Sequence, residues 1–352
     1  MPSSSDPSTA DRARKRPRRP SPARRISPVE GATRRLRLPA TARSGLLAVL
    51  LCAVLATLFA GTPASAAKAD PRLTRPVYVD PTGAAAKAAA KDRRFAKIGS
   101  RGQAFWVTDG YSASTVRSKV EVYAKRAVKA RRTPLVAVYA IPGRDCGQHS
   151  AGGLSPARYK AWVTQVAAGL KGRKAMVVLE PDAVALMGAC GGQGDRAALL
   201  RHAVSRLTSA GAWVYLDAGH SSWQSPDVMA DRLVSSGVRA ARGFAVNVSN
   251  FRPTKEEAAY ASQVLTALRK RGVTGKRYVL DTSRNGATTP PDAWDFCNPR
   301  AARIGRAPAV VNRSGLDAYL WVKRPGESDG TCQGGPTAGR WWATGALRLL
   351  AR

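Results

Sequence analysis

The feature that most constrains this chain is an alternation of short, mostly apolar runs with longer amphipathic segments between residues 103 and 350. The short runs are Gln103–Thr108, Leu135–Tyr139, Ala175–Leu179, Trp213–Leu216, Gly243–Val248, Arg277–Leu280 and Ala318–Val322. Each is strand length and lacks the polar alternation of a half-solvated strand. Between them, Ser114–Lys129, Ser155–Leu170, Asp195–Ala210, Ser225–Ser235, Thr254–Arg271 and, at the end, Thr337–Leu350 read as helices. Ser114 is placed to cap the first, Ser155-Pro156 opens the second, and Thr254 and Glu257 have capping-box spacing. Strands apolar on both faces belong to a parallel sheet that is covered on both sides. About seven such units in a row, with no linker, predict an α/β fold: a distorted (β/α) barrel of about seven parallel strands, similar to a TIM barrel.

Charge needs dividing before it is interpreted. The net charge is +34 over 352 residues. Residues 1–44 hold 12 Lys and Arg against Asp6, Asp11 and Glu30, and residues 45–66 hold no charge at all. Gly45–Gly61 is an apolar run followed by Pro63-Ala64-Ser65-Ala66. That order predicts a basic n-region, a hydrophobic signal segment and a cleavage site near Ala66, with the catalytic unit over 67–352 and the product secreted. An uncleaved signal segment, which would anchor the protein to a membrane, is the alternative. Thr33–Leu38 loosely fits a twin-arginine signal. The remaining basic residues are scattered and follow no RNP, zinc-finger or basic-heptad pattern, so nucleic acid is not an expected partner.

Cysteine usage agrees with export. Cys52 lies in the signal segment, and Cys146, Cys190, Cys297 and Cys332 remain. An even number in an exported chain predicts two disulfides. Three pairings are open, and the sequential one closes the shortest loops. There is no CxxC pair, and no metal or other cofactor is expected.

Polar residues collect just after the strand ends, which is where α/β barrels carry their sites. The carboxylates there are Asp145, Glu180, Asp182, Asp217, Asp281, Glu327 and Asp329, with His220 the one histidine. Trp106, Trp223 and Trp294 fall near the same rim. No dinucleotide fingerprint, P-loop or GxSxG elbow is present. Several acids without a nucleophile triad suit glycosidic cleavage, in which one carboxyl protonates the leaving oxygen and another handles water. Aromatic faces suit stacking on sugar rings.

These stretches resemble glycoside hydrolase family 6, most of all its bacterial endoglucanases. The resemblance runs, in order, through Tyr139–Cys146 (YAIPGRDC), Leu179–Asp182 (LEPD), Leu216–Trp223 (LDAGHSSW), Val246–Phe251 (VNVSNF), Asp281–Gly286 (DTSRNG) and Trp321–Gly330 (WVKRPGESDG). It implies a distorted barrel of seven parallel strands, sequential disulfides Cys146–Cys190 and Cys297–Cys332, and inverting hydrolysis of a β-1,4-glucan. It implies Asp182 as general acid, Asp145 as the carboxylate that raises its pKa and orders water, and Asp329 as general base or base relay. Tyr139 is placed beside the distorted sugar. Substrate binding falls to Trp106, Asp217, His220, Trp223, Asn250, Trp294, Phe296, Lys323 and Glu327. Phe296 stands where the family usually has Trp.

The segments Asp182–Cys190 and Asp329–Cys332 are short, which predicts an open groove and endo attack, with exo action of the cellobiohydrolase type as the alternative. A polysaccharide-binding barrel without catalysis would be expected to have lost Asp145, Asp182 or Asp329, and all three are present. The expected partner is a cellulose-like β-glucan, acted on by a monomer. No cellulose-binding module is apparent, so soluble or amorphous chains are the expected substrates.

Overall fold

The computed structural model describes residues 69–292 and 295–351. The signal segment, its cleavage site and Trp294 therefore lie outside the described residues. After a short Ala-rich helix, α1 (Ala84–Lys91), the chain alternates as expected. The order is β1 (Phe105–Thr108), α2 (Ala113–Lys129), β2 (Leu135–Tyr139), α3 (Pro156–Leu170), β3 (Met176–Leu179), α4 (Arg196–Ser209), β4 (Trp213–Asp217), α5 (Pro226–Ser235), β5 (Gly243–Val246), α6 (Thr254–Lys270), β6 (Arg277–Asp281), β7 (Ala309–Arg313), β8 (Leu316–Leu320) and α7 (Ala343–Leu350).

The sheet runs β1-β2-β3-β4-β5-β6-β8-β7. Strands β1 to β6 and β8 are the seven parallel strands predicted. The eighth, β7, pairs antiparallel with β8 and was not predicted. Its Val-Val-Asn-Arg is half exposed, so it lacks the buried apolar signature. A two-residue turn joins it to β8, with Ser314 at φ 50° and Gly315 at φ 83°, as hairpin turns of this length require. The first strand edge reaches the chain just past β8: Ala104 N–H donates to Trp321 O at 3.0 Å. The result is a distorted, incompletely closed barrel.

Alternate residues face opposite ways and build two apolar layers. Leu135, Ala137, Met176, Val178, Ala245 and Val279 pack inside the curve of the sheet. Val136, Val138, Val177, Leu179, Val214 and Phe244 pack outward against the helices. Three local expectations fail. The last helix begins at Ala343 rather than Thr337, because Thr337–Arg340 forms a turn. No capping box forms at α6: Glu257 is buried and accepts the Ser221 N–H at 2.9 Å, while Thr254 Oγ1 accepts from Asn285. At α2, Ser112 occupies the cap position instead of Ser114. Both disulfides form in the sequential pairing, Cys146–Cys190 and Cys297–Cys332.

Candidate active site

Parallel strands deliver their carboxyl ends to one side, so the segments after β2, β3, β4, β6 and β8 converge there. Glu180 and Asp182 leave β3 with left-handed φ of 50° and 70°. This kink turns Glu180 inward, where its carboxyl accepts the Ala140 and Ile141 N–H groups at 3.0 Å each and ties β3 to the exit of β2. Burial pushes Glu180 up to about 7 against those hydrogen bonds. Asp182 points the other way. Its N–H donates to Asp217 Oδ2 at 2.7 Å, and its carboxyl has no hydrogen-bond or ion-pair partner among the described residues. Burial first, then the Asp145 charge, push Asp182 up to about 7, while Arg196 and Lys323 pull the other way. Asp182 is thus set to hold a proton near neutral pH.

Asp145 sits in a loop of 3-10 form after β2, also left-handed, at φ 57°. Its Oδ2 accepts the Ser150 N–H at 2.6 Å. Burial raises its pKa, and the Asp329 charge adds to the rise. The adjacent Arg144 does not pair with it. Arg144 forms an ion pair with Asp109 at 2.6 Å, donates to the Tyr139, Ser150 and Ala151 carbonyls, and stacks on the Tyr139 ring. Asp109, at the exit of β1, also accepts the Gly153 N–H at 2.9 Å. It escaped the sequence reading because its partner lies 35 residues away.

Asp329 has the opposite environment to Asp182. Arg284 donates to one oxygen at 2.6 Å and Lys323 lies 2.7 Å from the other. The Asn298 N–H adds a third contact at 3.0 Å. Burial would raise Asp329, but Arg284 and Lys323 outweigh it and hold the carboxyl well below its usual range. Asp281 is buried and accepts N–H groups from Ser283, Ser249 and Lys323, which fixes the exits of β5, β6 and β8 together. Asp217 is also buried, with Oδ1 unpartnered; burial and Asp182 hold its pKa well above the ordinary value. The site therefore sets carboxyls that hold a proton near neutral pH, Asp182 with Asp217 beside it, against one firmly ionised carboxylate, Asp329, with Asp145 feeling the Asp329 charge and raising Asp182. That is an acid/base arrangement.

Residues 71–352 match the model for glycosyl hydrolases family 6. The chain belongs to this family. It is 48% identical over 285 residues to endoglucanase A of Cellulomonas fimi, covering 79% of this chain and 62% of that protein. It is 40% identical over 270 residues to endoglucanase A of Thermobispora bispora, covering 72% and 58%. The chain thus spans about three fifths of these two relatives. Among solved structures, the endoglucanase Cel6 from Mycobacterium tuberculosis, in complex with methyl-cellobiosyl-4-deoxy-4-thio-β-D-cellobioside, superposes with a TM-score of 0.75. That structure is 40% identical, and the match covers 80% of this chain and 98% of that one.

Against the family 6 pattern, the remaining predicted residues fall as follows. Tyr139 is nearly buried, with Trp106 packed edge-to-face at 5.3 Å; the Trp106 indole N–H donates to Val322 O at 2.8 Å. Burial, with Asp182 and Asp145 nearby, holds the Tyr139 phenol well above its usual pKa, so it stays protonated. His220 is pushed down to about 4 by burial and by Arg252, and its Nδ1 accepts the Ser222 N–H. It is a neutral imidazole whose ring meets Trp223 at 5.3 Å. Phe296 is 43% exposed. His149, on the Asp145 loop, lies 6.3 Å from the Phe296 ring and packs on the Gly330 backbone, so the two disulfide-tied loops touch. Lys323 and Glu327 are both engaged within the protein, with Asp329 and Arg324. Asn250 accepts the Phe251 N–H through its side chain. Two cations missed by sequence reasoning complete the site. Arg284 lay inside a matched stretch without a role. Arg196, nearly buried on α4, donates to the Pro142 and Gly143 carbonyls beneath the Asp145 loop.

Proposed function

We propose that this protein is an endo-β-1,4-glucanase that hydrolyses internal bonds of cellulose or a related soluble β-glucan with inversion at the anomeric carbon. The observation that carries the reading is the contrast between Asp182, without an ion-pair partner among the described residues and raised to about 7, and Asp329, doubly ion-paired and ionised. Asp182 protonates the departing glycosidic oxygen. A water ordered by Asp145 and deprotonated toward Asp329 attacks the opposite face of the sugar. Asp145 and Asp329 also place negative charge where the ring becomes cationic. Trp106 and Trp223 serve as stacking faces and His220 as a neutral hydrogen-bonding group. The short Asp329–Cys332 segment supports an endo mode, as do the endoglucanase relatives. Two disulfides favour an extracellular enzyme, and the reading extends to cleavage of a leader near Ala66.

The test uses soluble carboxymethylcellulose with wild type and Asp182→Asn. Wild type should lower viscosity rapidly while few reducing ends appear, and early products should be α-anomers by NMR. Asp182→Asn should lose about two to four orders of magnitude in rate. Release of cellobiose alone, β-anomeric products or an active variant would each overturn the assignment.

A further inference from the structure

Charge is distributed unequally between the two ends of the barrel. Five connectors run from a helix into the next parallel strand: 130–134, 171–175, 210–212, 236–242 and 271–276. Together they hold nine Lys or Arg and no Asp or Glu. The connectors leaving β1 to β5 at the catalytic end hold five Asp or Glu and two Arg, and the segments 282–308 and 321–342 after β6 and β8 add four acids and seven Lys or Arg, so that end balances. Helix C-termini favour cations on their own. The same dipole would draw acids into first turns; α5 and α6 have them, Asp227 and Glu256 with Glu257, whereas α2, α3 and α4 have none there. Complementing the dipole accounts for only part of the pattern.

The basic connectors form a rim of two adjacent pairs, one on either side of the neutral connector. β2 neighbours β3, and β5 neighbours β6. The neutral connector between them is joined by Gly172 N–H to Ala210 O at 3.1 Å, and Arg239 donates to the Arg271 and Gly272 carbonyls. Some of the charge is neutralised, with Arg173 on Glu121, Arg242 on Asp317 and Arg271 on Asp227 and Asp231. Asp70 at the same end is paired with Arg72. Arg131, Arg132, Lys171, Lys174 and Arg239 remain exposed, and none of them forms an ion pair among the described residues.

We propose that this rim docks a carboxylated polysaccharide, leaving the catalytic groove at the opposite end free. Guanidinium forks take carboxylates two-pronged. The exposed large apolar residues among those described are Val122, Val128, Val228 and Phe296. None lies in these connectors, so the rim offers no wedge for a bilayer and no stacking platform for bases. Binding rests on the charge pattern; only its value beside a neutral glucan rests on the proposed activity.

Affinity electrophoresis of the full chain through gels containing polygalacturonate tests this. The variant R131E/R132E/K171E/K174E should bind about tenfold or more weakly, and R131E/R132E should fall between it and wild type. A control of equal charge change, K87E/K91E/R93E/K97E, alters exposed residues in and after α1 and should keep most of the affinity. All variants should hydrolyse a neutral soluble β-glucan at the wild-type rate, which shows that they are folded. Equal losses in rim and control variants would assign binding to total charge and overturn the proposal. So would tighter binding by wild type, at physiological salt, to duplex DNA or to phosphatidylserine vesicles. Failure of wild type to cleave glucan would bear on the proposed activity alone.

Discussion

Asp182 owes its proton to its surroundings: a protein-enclosed carboxyl beside Asp145, with no cation in ion-pair contact among the described residues. Its alkaline limb should therefore govern kcat/KM, with activity falling as pH rises through about 7. Asp329 stays ionised well into acid, so the acid limb should lie far lower. Replacing Asp145 by Asn removes a charge that raises Asp182. The residual activity of Asp145→Asn should show its alkaline limb moved to lower pH by roughly one unit, about 1.4 kcal/mol. An unmoved limb in a pH–rate profile would separate Asp145 from the tuning of Asp182. At this scale the carboxylates were legible because strands end where apolar runs end. Their cations were not. Arg284 and Asp329 are 45 residues apart, and nothing local pairs them. Arg144 is adjacent to Asp145 in sequence, yet its ion pair is with Asp109, 35 residues away.

Among elements, the segment 144–153 depends on β1. Asp109 holds both its ends, through the Arg144 guanidinium and the Gly153 N–H. Asp109→Asn keeps an acceptor but removes the charge opposite a mostly buried Arg144. It should lower kcat about tenfold with little change in KM, and cost about 2 kcal/mol in denaturant unfolding. A change in KM alone would mean that Asp109 serves substrate binding rather than the setting of Asp145. The strands and helices of the barrel were readable from apolar periodicity, and only β7, an exposed edge, was not. The spacing of Thr254 and Glu257 fits a capping box, yet Glu257 instead secures the loop of His220 and Trp223 through Ser221. Helical spacing shows which residues share a face, not which neighbouring loop will need an acceptor.

For the whole molecule, buried acids set the pH dependence of stability. Glu180, Asp182 and Glu257 are each raised to about 7, chiefly by burial, and Asp217 is held well above its ordinary value. A carboxyl raised on folding stabilises fully below its unfolded pKa, and that stabilisation is lost as pH rises through the folded value. His220, lowered to about 4 by burial and Arg252, acts oppositely between about 6.5 and 4. Asp317 is raised by burial but more strongly lowered by Arg242, Tyr215 and Arg277, and it loses its contribution only in stronger acid. With these four carboxyls, and Asp145, Asp281 and Glu327 raised by burial as well, against one histidine, the unfolding midpoint should be higher at pH 5 than at pH 8, as calorimetry would show. A higher midpoint at pH 8 would mean that these carboxyls are ionised in the folded protein.

The central claim is that Asp182 supplies the proton to the leaving oxygen. Its most direct measurement compares Asp182→Ala on two substrates, a soluble β-1,4-glucan and an aryl cellobioside whose acidic phenol leaves without protonation. The account predicts a loss of about two to four orders of magnitude on the glucan and a far smaller loss on the aryl substrate. Equal losses on both would contradict it.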